Sequence, residues 1–188
     1  MFCDNLVRLT ILSVLLNWAT IFMYFPQRWT GLSGINNPHK HSFSSHCLTL
    51  LTIHYLHAGV TPSILPDFKH IFRGTFSEEI NLADLDFSQD FTFLNFHSCQ
   101  ITLGELFEGF LRYFKDFDAK KFGLTITKML PRMDSELFFA RESYGRNQCI
   151  IVKDPFSQTN AASSICSQKH LLNAMKVFKE SADAFESR

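Results

Sequence analysis

The chain has 188 residues, of which 46% are hydrophobic and 19% charged, and its formal charge is zero. That length allows one domain or a small two-lobed unit, and that composition excludes a disordered chain. A neutral balance also excludes a strongly basic nucleic-acid binder in bulk, leaving room only for a local basic patch. Phenylalanine occurs 21 times, which points to an aromatic core.

Leu6 to Tyr24 is apolar nearly all round, as in a helix inside a bundle; alternatively, Leu6 to Phe25 is a signal anchor or a spurious N-terminus. Pro26 is expected to end it, and Gln27 to Lys40, with Gly31, Gly34 and Asn36-Asn37-Pro38, reads as a loop. Ser42 and Ser44 are candidate caps for a helix from Ser45 to His57, which Gly59 stops. Pro62 and Pro66 bracket a short extended piece, and residues 67–100 show no clean period and read as a long loop.

Thr102 with Glu105 forms a capping-box signature ahead of a helix whose apolar set is Leu103, Leu106, Phe107, Phe110, Leu111 and Phe114. Leu124 to Ile126 and Cys149 to Val152 read as two antiparallel strands. The second runs into an Asp154-Pro155 turn, which sets a carboxylate at a strand end where a ligand can meet it. A last helix is expected from Ser167 to Phe185, burying Leu171, Leu172, Met175, Phe178 and Ala182.

The cysteines Cys3, Cys47, Cys99, Cys149 and Cys166 form no Cys-x-x-Cys pair, so reduced and mostly buried thiols are expected. His39-x-His41 has no matching cysteine or carboxylate cluster in sequence, and no metal site is expected.

Leu15 to Thr20, Ser44 to Pro66, Thr102 to Asp118 and Asp154 to Asn160, taken in order, resemble the cytoplasmic poly(A) polymerase and terminal nucleotidyltransferase family, in its germline-development type. Leu15-Leu16-Asn17-Trp18-Ala19-Thr20 is similar to that family's Val-Lys-x-Trp-Ala-Lys helix. Ser44-Ser45-His46 with Leu48 to Leu56, then Pro62-Ser63-Ile64-Leu65-Pro66, is similar to Ser-Ser-Tyr, its helix, and Pro-x-Val-Leu-Pro. Thr102-Leu103-Gly104-Glu105-Leu106-Phe107 with Phe110, Tyr113, Phe114 and Phe117-Asp118 resembles the third block, and Asp154-Pro155-Phe156 with Thr159-Asn160 the fourth.

The resemblance implies an α+β, mainly helical fold: the central helical lobe and poly(A)-polymerase-associated domain of a DNA-polymerase-beta-like nucleotidyltransferase, with a small antiparallel strand element. Residues 1–66 would belong to the central helical domain, with an atypical insertion over 22–33 from a retained intron or a lineage insertion. Residues 67–100 would be a variable region, and 101–188 the poly(A)-polymerase-associated domain.

A complete family member adds adenylate from ATP to an RNA 3′ end using Mg2+ or Mn2+, in the cytoplasm and in some cases the nucleus. Its catalytic domain, which carries the metal-binding carboxylates, precedes the present lobe and is not expected in this chain. Asp84-Leu85-Asp86 mimics the carboxylate pair, but no Gly-Ser precedes it, and an exposed acidic loop is the expectation. No catalytic residue is assigned.

By resemblance, Ser45 contacts phosphate, His46 stacks on the base where the family has tyrosine, and Asp154 reads the base edge. Alternatively, His46 is an ordinary helix N-terminal residue and Asp154 a turn aspartate. Leu16 and Thr20 stand at the family's two lysine positions, with Lys40 either a compensating phosphate contact or a solvated loop residue. Asn160, with no extra histidine before it, matches the adenosine-preferring type and is expected to cap a helix and hold the turn. The alternative function is a pseudo-enzyme module that docks a polymerase or an RNA-binding adaptor through an exposed apolar face.

Overall fold

The computed structural model describes residues 19–65, 101–132, 148–155, 157 and 159–187. The expectations for the start of the first helix, Trp18, and residues 67–100 with Asp84-Leu85-Asp86 lie outside these residues. Four helices and one hairpin carry the described fold: α1 Ala19–Ser33, α2 Ser45–His54, α3 Leu103–Lys115, β1 Phe122–Leu124, β2 Met129–Pro131 and α4 Gln168–Glu186.

Helix α1 runs through Pro26 and takes in residues expected to be loop. An internal proline costs a helix roughly 3 kcal/mol through a lost hydrogen bond and a ring clash. Tertiary packing offsets this. Phe22 is fully buried against Tyr55 and Phe110, a contribution of about 1.5–3 kcal/mol. Trp29 packs on Phe107, Phe110 and Phe178 and donates its indole N–H to Ser181 Oγ at 3.0 Å. The helix stops at Gly34, whose φ of +74° is the left-handed conformation glycine adopts most cheaply.

Ser44 caps α2 by accepting from Cys47 N at 3.1 Å, while Ser42 bonds instead to the Ile35 carbonyl. The α-helix ends at His54 and continues as one π turn, Tyr55–Gly59. At α3 the expected capping box forms in full: Thr102 Oγ1 accepts from Glu105 N, and Glu105 Oε2 accepts from Thr102 N at 2.7 Å.

Helix α4 starts at its Ser167 cap and buries Leu171, Ala174, Phe178 and Ala182. Leu172, expected inside, is 66% exposed because it sits one helical step, about 100°, off that stripe. Phe110, Phe114 and Phe178 pack at ring-centroid distances of 5.1–5.9 Å and join α3 to α4. Residues from both sides of segment 66–100 share this one core.

The strand expectation is corrected. β1 pairs antiparallel with β2, Leu124 opposite Met129, not with the segment 149–152. That segment meets β1 in parallel through a single bridge, Leu124 to Val152, with Leu124 N donating to Ile151 O and Lys153 N to Leu124 O. The four-residue turn Thr125–Lys128 explains the swap: Thr125 N and Oγ1 both bond to Lys128 O and close a local hairpin. Among the described residues, no helix is long and apolar enough to cross a membrane.

Candidate nucleotide-binding wall

Two segments far apart in sequence build the site. One is the first turn of α2, held by the Ser44 cap. The other is the turn after Val152, held by Asn160. The buried Asn160 side chain accepts from Val152 N and Ala162 N at 3.0 Å each and donates to Ile150 O at 2.9 Å. It caps no helix; it ties the two arms of the turn together. Asp154 N then donates to Thr159 O at 3.0 Å, which fixes the residue that faces α2.

Across this gap His46 Nε2 lies 3.0 Å from Asp154 Oδ2. A carboxylate only accepts, so Nε2 carries the proton and donates. Ser157 Oγ donates to the same oxygen at 2.9 Å and pairs with Thr159 Oγ1 at 2.7 Å. The Asp154 side chain is 12% exposed and that of His46 51%. The carboxylate is therefore held in place while much of the imidazole remains open to a partner.

Ser45 is exposed, and its hydroxyl exchanges two hydrogen bonds with the Asn36 amide, at 2.9 and 3.1 Å. Thus Ser45, His46 and Asp154 come together as one wall. Lys40 ends a short 3-10 turn, Pro38–Lys40, exposed and with no ion pair among the described residues. Asn36 and Ser157 were missed from sequence. The Ile35-Asn36 turn and the polar run after Asp154 were the available signals.

Behind the wall, His54 is buried. Its Nδ1 meets the Thr125 carbonyl at 2.6 Å, and its Nε2 meets the Tyr113 hydroxyl at 2.8 Å. The carbonyl can only accept, so Nδ1 carries the proton and Tyr113 donates to Nε2. Burial lowers the imidazole pKa to about 4, against a smaller opposing effect of the Thr125 bond. Burial pushes the Cys47 thiol well above its ordinary range. Cys149 is likewise buried and Cys166 is exposed, so two of the three described free cysteines are buried, as expected.

No protein-family model matches the chain. It is 32% identical over 144 residues to the poly(A) RNA polymerase GLD2-A of Xenopus laevis, a match covering 74% of this chain and 26% of that protein. Its fold is similar to that of GLD-2 in a solved GLD-2/RNP-8 complex, with a TM-score of 0.67 at 23% identity over 88% of this chain and 49% of the other. A cytoplasmic RNA terminal U-transferase matches with a TM-score of 0.67 at 19% identity, over 89% of this chain and 53% of the other.

The chain belongs to the poly(A) polymerase and terminal nucleotidyltransferase family. It spans about a quarter of the length of the curated relatives it matches. Within the family fold, the described residues form the helical lobe with its small two-stranded sheet.

Proposed function

We propose that this chain supplies the base-facing wall of the nucleotide cleft in a poly(A)-polymerase-like nucleotidyltransferase that adds adenylate to RNA 3′ ends. The observation that carries this reading is the 3.0 Å contact between His46 and Asp154. It joins a stacking ring and a base-edge acceptor across 108 residues of sequence. His46 would lay its ring on the base, Asp154 would accept from an exocyclic amine, and Ser45 would meet phosphate. An adenine offers that amine and a uracil does not.

We propose that the family's Val-Lys-x-Trp-Ala-Lys helix lies at Trp29 rather than at Trp18. Set on Pro26-Gln27-Arg28-Trp29-Thr30-Gly31, the motif leads directly into Ile35-Asn36, and no insertion over 22–33 is needed. Gln27 Nε2 donates to Thr49 Oγ1 at 3.4 Å, and Thr49 Oγ1 to Ser45 O at 3.0 Å. The first lysine position thus borders the Ser45 turn, where a triphosphate would lie. In this register the lysines are replaced by Gln27 and Gly31, so both cations are still missing.

The wall contributes one carboxylate, Asp154, already engaged by His46 and Ser157. The Mg2+ or Mn2+ of a complete enzyme, which would activate the RNA 3′ hydroxyl and steady the triphosphate, would need carboxylates from the preceding catalytic domain. The chain alone is accordingly expected to be inactive.

The test is titration of the purified chain with AMP and UMP, followed by NMR shifts of the His46 ring. AMP should shift the ring, UMP should do so less, and Asp154→Ala should erase the difference. Equal shifts with both nucleotides, or none, would refute the reading.

A second reading, a docking module, draws on Tyr24 and Leu32, which are 63% and 78% exposed on α1 with the exposed Arg28 between them. These positions stand four residues apart and form one apolar-basic stripe. A catalytic domain or a protein adaptor could cover that stripe, as a GLD-2 protein was solved together with RNP-8. Tyr24→Glu with Leu32→Glu should then abolish capture by such a partner without changing AMP titration.

A further inference from the structure

Outside the nucleotide wall, His41, Cys166 and His170 converge. Cys166 Sγ lies 3.4 Å from His41 Nδ1 and 3.5 Å from His170 Nδ1. The three ligand atoms all lie within 4.8 Å of one another. Zinc bonds of about 2.3 Å to sulfur and 2.0–2.1 Å to nitrogen, at tetrahedral angles, require S···N edges of about 3.6 Å. Two edges of a tetrahedral site are therefore already at length.

The third edge needs an N···N distance of about 3.3 Å by the same geometry. The two imidazoles are now stacked, with centroids 4.5 Å apart and planes 17° apart. A common ion therefore requires at least one ring to rotate out of the stack.

The backbone is arranged to present these side chains. His41 is the one described non-glycine residue at positive φ, 57°, a conformation that a β-carbon disfavours. Its N–H bonds to Pro38 O and the next residue's N–H to Asn37 O, which fixes the residue at the exit of the turn. Cys166 and His170 are four residues apart, and Ser167 Oγ accepts from His170 N at 3.3 Å at the start of α4. Ser164 Oγ donates to Ser42 O at 2.6 Å, so the two segments are already tied beside the cluster.

We infer that His41, Cys166 and His170 form a site for a borderline-soft divalent cation, Zn2+, with water as the fourth ligand. The thiolate and two imidazoles match that ion's ligand preference. Binding displaces the thiol proton into solvent as the Sγ–metal bond forms. The ion would pin the turn preceding α2 to the start of α4 and so hold Ser45 and His46 in their approach to Asp154. The site itself does not depend on the nucleotide reading.

Cobalt titration of the purified full chain under reducing conditions tests this. One Co2+ per chain should give the intense visible bands of a tetrahedral site with a thiolate charge-transfer band, and Zn2+ should displace it. Cys166→Ser should remove the charge-transfer band. His41→Ala and His170→Ala should each weaken binding by more than about tenfold, since loss even of a supporting residue costs that much. His39→Ala should leave binding unchanged. Should a variant fail to fold, Zn2+ protection of Cys166 from alkylation, read by mass spectrometry in the unaltered chain, decides the question. Weak octahedral bands, binding that survives Cys166→Ser, or no protection by Zn2+ would overturn the inference.

Discussion

Asn160→Ala gives the sharpest test of how the wall is built. Its carboxamide oxygen is the acceptor for Val152 N and Ala162 N, and its nitrogen donates to Ile150 O. All three neighbours are buried, at 3%, 1% and 2% exposure, so little water can replace the lost groups. Leaving a buried N–H unsatisfied costs about 1–3 kcal/mol, and there are two, with a carbonyl besides. The expected loss is about 3–5 kcal/mol, a large part of the 5–15 kcal/mol that holds a small domain together. Urea unfolding measures it as a fall in midpoint at unchanged slope. Thr159→Ala, next door but exposed, should cost less than about 1 kcal/mol. If Asn160→Ala costs no more than Thr159→Ala, the clamp does not hold the Asp154 turn, and the account of the wall is wrong.

Further outcomes follow from other contacts. His54 has a pKa lowered from 6.5 to about 4; the unfolded chain therefore binds more protons than the folded one in that window, and stability should fall as pH drops from 6.5 to 4, by about 3 kcal/mol in all. His54→Gln should flatten that slope in acid denaturation curves. A β-carbon at Gly109 would collide with the Tyr55 hydroxyl, whereas one at Gly31 meets nothing within 4 Å. Gly109→Ala should therefore destabilise by about 1–2 kcal/mol despite its better helix propensity, and Gly31→Ala should stabilise by about 0.5–1 kcal/mol, both read as Tm shifts. The Arg132 guanidinium donates to the carbonyls of Ala119, Gln148 and Cys149; Arg132→Lys keeps the charge but not the planar fork, and should cost about 1–3 kcal/mol in thermal unfolding.

Local signals in the sequence carried the elements whose stability is local. Thr102 and Glu105 announced α3 because both partners of the capping box lie within one turn. Ser44 announced α2 for the same reason. Pro26 misled, because its local cost is outweighed by Phe22 and Trp29 packing on α3 and α4, contacts that no sequence window contains. The strand partner of β1 was likewise missed: a tight Thr125–Lys128 turn competed with a longer apolar run, and proximity in sequence won. The site shows the same division. Asp154 was legible as a turn carboxylate, whereas Cys166 and His41 stand 125 residues apart, with only Cys166-x-x-x-His170 as a local trace.

The register of α1 decides what the wall can hold. Gln27 and Gly31 are four residues apart on α1, so their side-chain positions lie one above the other. Gln27 reaches Thr49 beside the Ser45 turn, and Gly31 opens into free space. Gln27→Lys with Gly31→Lys should therefore place two ammonium groups along one line leading away from Ser45. Each should add a charge-assisted contact to a triphosphate and tighten ATP by about tenfold, equivalent to about 1.4 kcal/mol. Calorimetry with ATP and AMP separates phosphate contacts from base contacts. ATP should tighten by far the more, and the gain should shrink at high salt, as exposed charges are screened. The matched pair Leu16→Lys with Thr20→Lys, set by the Trp18 register, should leave ATP binding unchanged. If that pair tightens ATP and the Gln27–Gly31 pair does not, Trp18 is the anchor, and the chain carries the insertion over 22–33.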